Sequence, residues 1–133
     1  VPMHRYTTIA GIPISNFLTK EKLDEIVERT RHGGAEILAL RQNSSAFDAP
    51  AASVAEMVDA IVNDRKRILP TVSVLEGEYG HEDIAIGVPA VLGKEGMEQI
   101  ILLDMNDDET TMFHNSATIV QTQIDLLNNI KNQ

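Results

Sequence analysis

The sequence of 133 residues contains no cysteine and no tryptophan, and aromatic residues make up only 4% of it. Without cysteine the chain has neither a disulfide framework nor a thiolate metal site, which fits a reducing cytoplasm as the expected location. No apolar run approaches the ~20 residues that a membrane-spanning helix needs, and no secretory pattern follows Val1. We therefore expect no membrane partner.

Positive charge is also scarce, because 11 basic residues stand against 20 acidic ones and give a net charge of −9. A polyanion such as DNA is repelled by this balance unless a basic stripe compensates locally. The only basic cluster in the sequence is Arg65-Lys66-Arg67, which we interpret as a short solvated stretch between a helix and a strand. The sequence thus argues against a nucleic-acid partner.

Elements in the first third of the chain are predicted from local patterns. Residues 4–10 alternate sufficiently to predict a strand, which ends at Gly11-Ile12-Pro13. Thr19 is a plausible helix N-cap. Apolar residues then recur at spacings of three and four, which predicts a helix with one buried side that Gly33-Gly34 should loosen or bend: Leu23, Ile26, Val27, Ile37, Leu38 and Leu40.

The rest of the chain predicts a helix, three strands and a final helix. The first of these runs from about Ala49 to Asn63, with Pro50 in the first turn, where proline is tolerated. Branched aliphatics between short glycine-containing links predict an antiparallel meander, with strands at residues 68–75, 84–92 and 99–103. Asn106 is predicted to cap a helix that packs one face on the sheet: Phe113, Ala117, Val120, Ile124 and Leu127.

These elements predict a single domain over residues 1–133 of the α+β class, with helices packed on a twisted, mainly antiparallel sheet. The sequence contains few residue patterns that are typical of a catalytic or metal site. The histidines at positions 4, 32, 81 and 114 form no zinc-type cluster, and no nucleophile-turn or phosphate-loop spacing occurs. The residues alone therefore predict no metal site and no self-contained catalytic set.

Five stretches, in order and spanning nearly the whole chain, are similar to one family: VPMHRYTTIAGIPIS, EIVERTRHGGAEIL, SSAFDAPAASVAEMVDAIVNDRKRILP, LEGEYG and IGVPAVLGKEGMEQI. Together they resemble the C-terminal half of the lactate/malate dehydrogenases, especially the lactate-dehydrogenase-like malate dehydrogenases of bacteria. The resemblance implies that an NAD-binding domain precedes this region. It also implies that the catalytic histidine lies in a Gly-His-Gly-Asp stretch shortly before the counterpart of Val1, with its partner aspartate and the substrate-binding arginines further upstream.

The resemblance implies reversible oxidation of malate to oxaloacetate, a reaction of the tricarboxylic acid cycle, with NAD as the cofactor. Histidine removes the hydroxyl proton while hydride moves to the nicotinamide. No family catalytic residue falls within the present chain, so the chain alone is expected to be inactive. By position, Ala46 matches a residue in the wall of the substrate pocket, Ser45 is a second candidate for that wall, and Pro50 matches a residue packed near the nicotinamide ring.

The small side chain of Ala46 is the clue to a dicarboxylic acid substrate, because relatives that use lactate usually carry threonine at that position. The alternative is that Ala46 is merely a small packing residue. Asp48 stands where many relatives have an uncharged residue, and a carboxylate pointing into the pocket would repel a dianionic substrate by several kcal/mol. We therefore predict that Asp48 points to solvent or pairs with a basic group.

Two alternative functions stay open at this stage. Because the family forms homodimers or homotetramers, the chain could serve as an oligomerisation module, with its two-glycine helix and the helix after Pro50 supplying contact surfaces. The same domain could also belong to an L-lactate or other 2-hydroxy acid dehydrogenase, because the residues that select between such substrates lie upstream in the family.

Overall fold

The structure is a computed structural model that describes residues 2–42 and 47–131. The chain divides into two compact units, Val1–Ala51 and Ala52–Gln133. Helices and antiparallel strands make up both units, so the predicted α+β class is confirmed. Within the described residues, no helix combines the length and the apolar character needed to cross a bilayer.

The first unit begins with short elements rather than the predicted strand over residues 4–10. A 3₁₀ turn at His4–Tyr6 is followed by a two-residue hairpin, in which β1 (Thr8–Ile9) pairs with β2 (Ile12–Pro13). Ala10 and Gly11 connect the strands with φ angles of 51° and 82°. Positive φ at both central positions is what a tight two-residue hairpin requires, so the strand prediction was wrong except at Thr8–Ile9.

Helix α1 (Lys20–Arg41) follows a second 3₁₀ turn at Ile14–Asn16. The Thr19 hydroxyl accepts a hydrogen bond from the Lys22 N–H at 3.4 Å, which confirms the predicted cap. The helix runs on through Gly33-Gly34 without interruption. The two glycines were expected to loosen or bend the helix, but they do not interrupt it.

The apolar side of α1 is not buried as predicted. Leu23 is the one buried residue of this helix. Four other residues of the predicted buried side are exposed: Ile26, Ile37, Leu38 and Leu40. Apolar spacing identifies a helix side that favours burial, but the other described residues of the first unit do not cover this side.

The second unit contains the meander that the sequence predicted. After α2 (Asp48–Val62), strands β3 (Arg67–Glu76), β4 (Glu82–Gly93) and β5 (Gly96–Ile100) form one antiparallel sheet in the order β3-β4-β5. The third strand starts and ends three residues earlier than predicted, because Gly96, with a φ of 91°, closes the turn directly after Gly93.

One face of this sheet carries the hydrophobic core. Inward residues of β3 and β4 pack with the first turns of α3 (Asp107–Lys131), forming a buried cluster of Leu75, Ile84, Ile86, Val88, Phe113 and Ala117. Val120 and Ile124 pack against the same cluster, which confirms the predicted helix face at these four positions of α3. Leu127, the fifth predicted position, is exposed.

The start of α3 is fixed by a reciprocal capping box. The Glu109 N–H donates to the Asn106 side-chain oxygen at 2.9 Å, and the Asn106 N–H donates to the Glu109 carboxylate at 3.0 Å. Glu109 is only 4% exposed, so its charge is held at the positive end of the helix dipole. The cap predicted at Asn106 is confirmed.

Helix α2 contacts the same sheet at the N-terminal part of β3. The Thr71 hydroxyl donates to the Met57 sulfur at 3.9 Å, and the Arg67 guanidinium donates to Glu56 at 2.9 Å. Ala60 of α2 is fully buried. Both helices therefore cover one face of the sheet, and the other face is available to solvent.

We call this second surface the open sheet face. On β3 it consists of Ile68, Pro70, Val72 and Val74, which are all exposed. Their cross-strand partners on β4 are Val91, Pro89, Gly87 and Ala85, which are exposed or half-buried. All eight residues are apolar or glycine.

Tyr79 ties the β3–β4 connection to the segment after β5. Its hydroxyl donates to the Ile101 carbonyl at 2.7 Å and accepts from the Leu103 N–H at 3.0 Å. Its ring lies 4.9 Å from that of Phe113. Two hydrogen bonds of one side chain therefore hold the segment between the sheet and α3 in place.

The basic cluster at residues 65–67 is neutralised by neighbouring acids. Arg65 pairs with Asp59 at 2.6 Å, and Lys66 donates to Glu98 at 2.6 Å. A Cβ at Gly93 would lie 2.8 Å from the Lys66 Cδ, so this pair occupies the space that a side chain would need. With Arg67 also paired to an acid, the cluster presents no unpaired basic stripe for a polyanion.

Candidate functional site

The predicted site lies where α1 ends and α2 begins. Ser45 and Ala46, the predicted pocket-wall residues, lie outside the described residues, so their placement stays a prediction. Arg41, the last residue of α1, forms an ion pair with Asp48, the first residue of α2. This pair joins the two helix ends that flank the predicted wall.

The orientation of this ion pair agrees with both helix dipoles. A cation at the C-terminus of a helix and an anion at the N-terminus each interact favourably with the partial charges there. Asp48 is 69% exposed at its side chain and pairs with a guanidinium. The prediction that Asp48 points to solvent or pairs with a basic group is confirmed, and its charge is compensated by Arg41.

Arg41 also contacts the aromatic ring between the two helices. Its guanidinium carbon lies 4.6 Å from the centroid of the Phe47 ring, which is a cation–π distance. The Phe47 carbonyl accepts the Ala51 N–H at 2.9 Å, which starts the hydrogen-bond ladder of α2. Arg41 thus contacts both Phe47 and Asp48, and these two contacts stabilise the N-terminal end of α2.

Pro50 lies at the third position of α2 and is exposed. Its missing N–H costs nothing there, because the first turn of a helix has no intrahelical acceptor for that group. The predicted location of Pro50 in the first turn is confirmed. Its contact with the nicotinamide stays a prediction.

The structure brings together two histidines that the sequence had left separate. His81 Nε2 and His114 Nδ1 lie 2.7 Å apart, joining the residue before β4 to α3. The His81 ring also lies 5.9 Å from that of Phe113. No sequence spacing could have indicated this pair, because 33 positions separate the residues and their contact depends on how α3 lies on the sheet.

A groove beside His81 runs between β4 and α3. Its volume is about 340 Å³, and its lining includes Glu82, Gln121 and Asp125. Gln121 donates to Asp125 at 2.9 Å, so part of its polar lining is internally paired. Across residues 2–42 and 47–131, no three histidine, aspartate or glutamate side chains are grouped closely enough to hold a metal ion.

A family model described as the lactate/malate dehydrogenase alpha/beta C-terminal domain matches residues 1–130. The chain belongs to the lactate/malate dehydrogenase family. The match covers nearly the entire sequence, which confirms the resemblance drawn from the five sequence stretches. It also accounts for the architecture, in which helices lie over an antiparallel sheet.

Among curated members of the family, the chain is 58% identical over 127 residues to a malate dehydrogenase of Thioalkalivibrio sulfidiphilus and 53% identical over 124 residues to that of Nitrosococcus oceani. These alignments include 96% and 93% of the chain but only 41% and 40% of the relatives. The chain therefore spans about two-fifths of the length of these dehydrogenases.

Solved structures of the family share the fold closely. The malate dehydrogenase of Salinibacter ruber superposes with a TM-score of 0.94 at 43% identity, over 99% of this chain and 43% of that one. A lactate dehydrogenase from Eimeria maxima, solved with NADH and oxamate, gives 0.87 at 33% identity, over 96% of this chain and 42% of that one. The fold is thus common to both substrate classes.

Proposed function

We propose that this chain is the substrate-side portion of an NAD-dependent malate dehydrogenase, which interconverts malate and oxaloacetate. The observation that carries the proposal is the 58% identity to a malate dehydrogenase over 96% of the chain. Because the chain spans about two-fifths of that relative, the complete reaction belongs to a longer protein. We propose that the catalytic histidine and most of the cofactor site lie in that additional polypeptide.

In this proposal the segment between α1 and α2 forms one wall of the substrate pocket. Ala46, with Ser45 beside it, leaves space for the second carboxylate of a dicarboxylic acid. The Arg41–Asp48 pair supports this role in two ways: it fastens the flanking helix ends, and it compensates the Asp48 charge that would otherwise repel a dianion. This chain would thus position substrate and exclude water, and perform no proton transfer itself.

Among the described residues, we propose one contact with NAD. Pro50 is exposed in the first turn of α2 and offers an apolar ring without a backbone donor. When bound, NAD supplies the hydride acceptor of the reaction. We propose that Pro50 limits the position of the nicotinamide ring from this side of the pocket and that the remaining cofactor contacts come from the preceding domain.

The test is Ala46→Thr in the full-length enzyme, with kcat/KM measured for oxaloacetate and for pyruvate. We expect the preference for oxaloacetate to fall by one to two orders of magnitude, because a larger wall residue removes space worth about 1–3 kcal/mol of discrimination. Ala55→Thr, the same change at an exposed position of α2, is the matched control. An unchanged preference in Ala46→Thr would exclude the wall role.

The chain alone gives a second test of the same proposal. If its catalytic groups reside elsewhere, the purified 133-residue protein should show no NADH turnover with oxaloacetate. Turnover by the chain alone would contradict this. A preference of the full-length enzyme for pyruvate over oxaloacetate would instead favour the lactate-type alternative, which the structural likeness to the Eimeria maxima enzyme supports.

We also propose that the enzyme is a cytoplasmic homodimer or homotetramer. The supporting observation is the exposed apolar side of α1, where Ile26 and Ile37 flank Gly33 along one shallow groove. A glycine permits close approach of a second helix, and the Arg29–Glu36 pair at 3.1 Å borders the groove with compensated charge. Light scattering that finds only monomer at high concentration would count against this role of α1.

A further inference from the structure

The His81–His114 contact is held by two fixed stretches of backbone. The His81 N–H donates to the Glu78 carbonyl at 3.1 Å, and the His81 carbonyl accepts from the Gly77 N–H at 2.9 Å. His114 lies in α3 directly after Phe113, whose side chain is buried in the core cluster. Because both main chains are fixed in this way, the folded chain itself brings the two imidazoles together.

The two rings are spaced almost as they would be around a chelated metal ion. The His81 Nε2 and His114 Nδ1 atoms lie 2.7 Å apart, and the ring centroids lie 4.9 Å apart. Two imidazoles on one ion, with metal–nitrogen bonds of about 2.0–2.1 Å, have centroids roughly 4.5–5.2 Å apart and nitrogens roughly 2.9–3.4 Å apart. The centroids are therefore already in range, and turning each ring in place provides the small separation that the nitrogens still need.

The hydrogen between the rings can give way to a metal ion. In the present contact one nitrogen donates a hydrogen and the other accepts it. A neutral imidazole can carry its hydrogen on either nitrogen, so this hydrogen can move through solvent to the far nitrogen of its own ring. Both facing nitrogens then offer lone pairs. For two neutral imidazoles this exchange of hydrogen bond for ion releases no net proton.

The groove beside His81 favours a cation over an anion. Glu82 and Asp125 contribute two carboxylates to its lining, and the described residues that line it include no lysine or arginine. His81 is half-buried and His114 is exposed, so an ion with its water ligands can reach both rings from solvent. Charge and access therefore agree with the ring geometry.

We propose that His81 and His114 chelate one divalent ion of the class that imidazole prefers, such as Ni²⁺, Cu²⁺ or Zn²⁺. Among the described residues no third histidine or carboxylate is grouped with the pair to share the ion, so water completes the coordination and the ion stays exchangeable. The ion joins the start of β4 to α3, and it stabilises the second unit because it binds the folded arrangement more tightly than the unfolded chain. The site depends on neither the substrate nor the cofactor.

Calorimetric titration of the tag-free 133-residue chain with NiCl₂ tests the site, at about pH 7.5 because the ligand is neutral imidazole. The four histidines of the chain allow a control of identical composition. One double variant, His81→Gln/His114→Gln, keeps His4 and His32, and the other, His4→Gln/His32→Gln, keeps the proposed pair. Far-ultraviolet circular dichroism establishes that each variant folds. The single variant His114→Gln, altered only at an exposed helix position, replaces the first double variant if that one does not fold.

We expect the variant that keeps His81 and His114 to bind Ni²⁺ as tightly as the parent chain does. The variant that lacks them should bind at least roughly ten-fold more weakly, because loss of a group that merely orients a ligand already has an effect of that size. Ni²⁺ should also raise the urea midpoint only where the pair is present, and Mg²⁺, which prefers oxygen ligands, should raise it in neither variant.

Equal Ni²⁺ affinities of the two double variants would overturn the proposal. An equal effect of Mg²⁺ would also overturn it and would indicate that the acidic groove alone attracts the cation. Neither outcome bears on the malate assignment, which the Ala46→Thr measurement decides separately.

Discussion

Replacing Tyr79 with phenylalanine isolates the contribution of one hydroxyl to the stability of the second unit. The change keeps the ring, which lies 4.9 Å from Phe113, and removes the group that donates to the Ile101 carbonyl and accepts from the Leu103 N–H. Two backbone groups between β5 and α3 therefore lose their partner at once, while the aromatic contact is retained.

The magnitude follows from these two hydrogen bonds. Each contributes about 0.5–1.5 kcal/mol net, so Tyr79→Phe should lower the free energy of unfolding by about 1–3 kcal/mol. For a chain of this length, about 1 kcal/mol corresponds to a shift of about 4 °C in Tm, which predicts a decrease of about 4–12 °C.

Urea unfolding of the 133-residue chain, followed by far-ultraviolet circular dichroism, measures this difference. Thr122→Val is the matched control, because its hydroxyl donates to the Thr118 carbonyl on the exposed side of α3. The control should change stability by no more than about 0.5 kcal/mol. If Tyr79→Phe costs no more than this control, the fastening role assigned to Tyr79 is refuted.

Three further predictions concern a cap, an ion pair and the site. Asn106→Ala should lower the free energy of unfolding by about 1 kcal/mol and Asn106→Asp should not, and equal effects in urea unfolding would contradict the capping role. The hydrogen bond from Lys66 holds the pKa of Glu98 below 4.5, so this pair stabilises above that pH and its contribution is lost as the pH falls through the lower folded pKa. Stability should therefore decline more steeply below about pH 4.5 in the parent chain than in Lys66→Met, and parallel urea–pH profiles would disprove this. In the full-length enzyme, Arg41→Met should raise KM for oxaloacetate severalfold while kcat changes little, and adding Asp48→Asn should restore part of the loss. A double variant no better than the single one would show that the Asp48 charge does not matter.

The parts of the fold predicted correctly from the sequence depend on neighbours along the chain. The Asn106–Glu109 box is complete within four residues, and the meander arises from three strands joined by short links. The wrong prediction of a strand over residues 4–10 also has a local cause. There the positive φ of Ala10, which spacing does not reveal, turns the chain before a long strand can form.

Burial and long-range contacts were less predictable. The spacing of Ile26, Ile37 and Leu38 indicates an apolar helix side but does not indicate what covers it. In the described part of the chain these three side chains are exposed. The His81–His114 contact was not predictable, because it depends on how α3 packs against β4. At the site, electrostatics alone predicted that Asp48 would point to solvent or pair with a basic group. The identity of that group, Arg41, was not predictable, because the pair forms only when the end of α1 lies beside the start of α2.

The absence of a side chain at Gly93 links three positions that are distant in sequence. The Lys66–Glu98 bridge lies directly over that Cα, so a methyl group there would displace the lysine stem. A mutation to alanine at position 93 would therefore require the side-chain ends of Lys66 and Glu98 to shift and their bridge to rearrange. The residues at positions 66, 93 and 98 are thus coupled in the folded chain, because a change at one alters the space or the charge available to the other two.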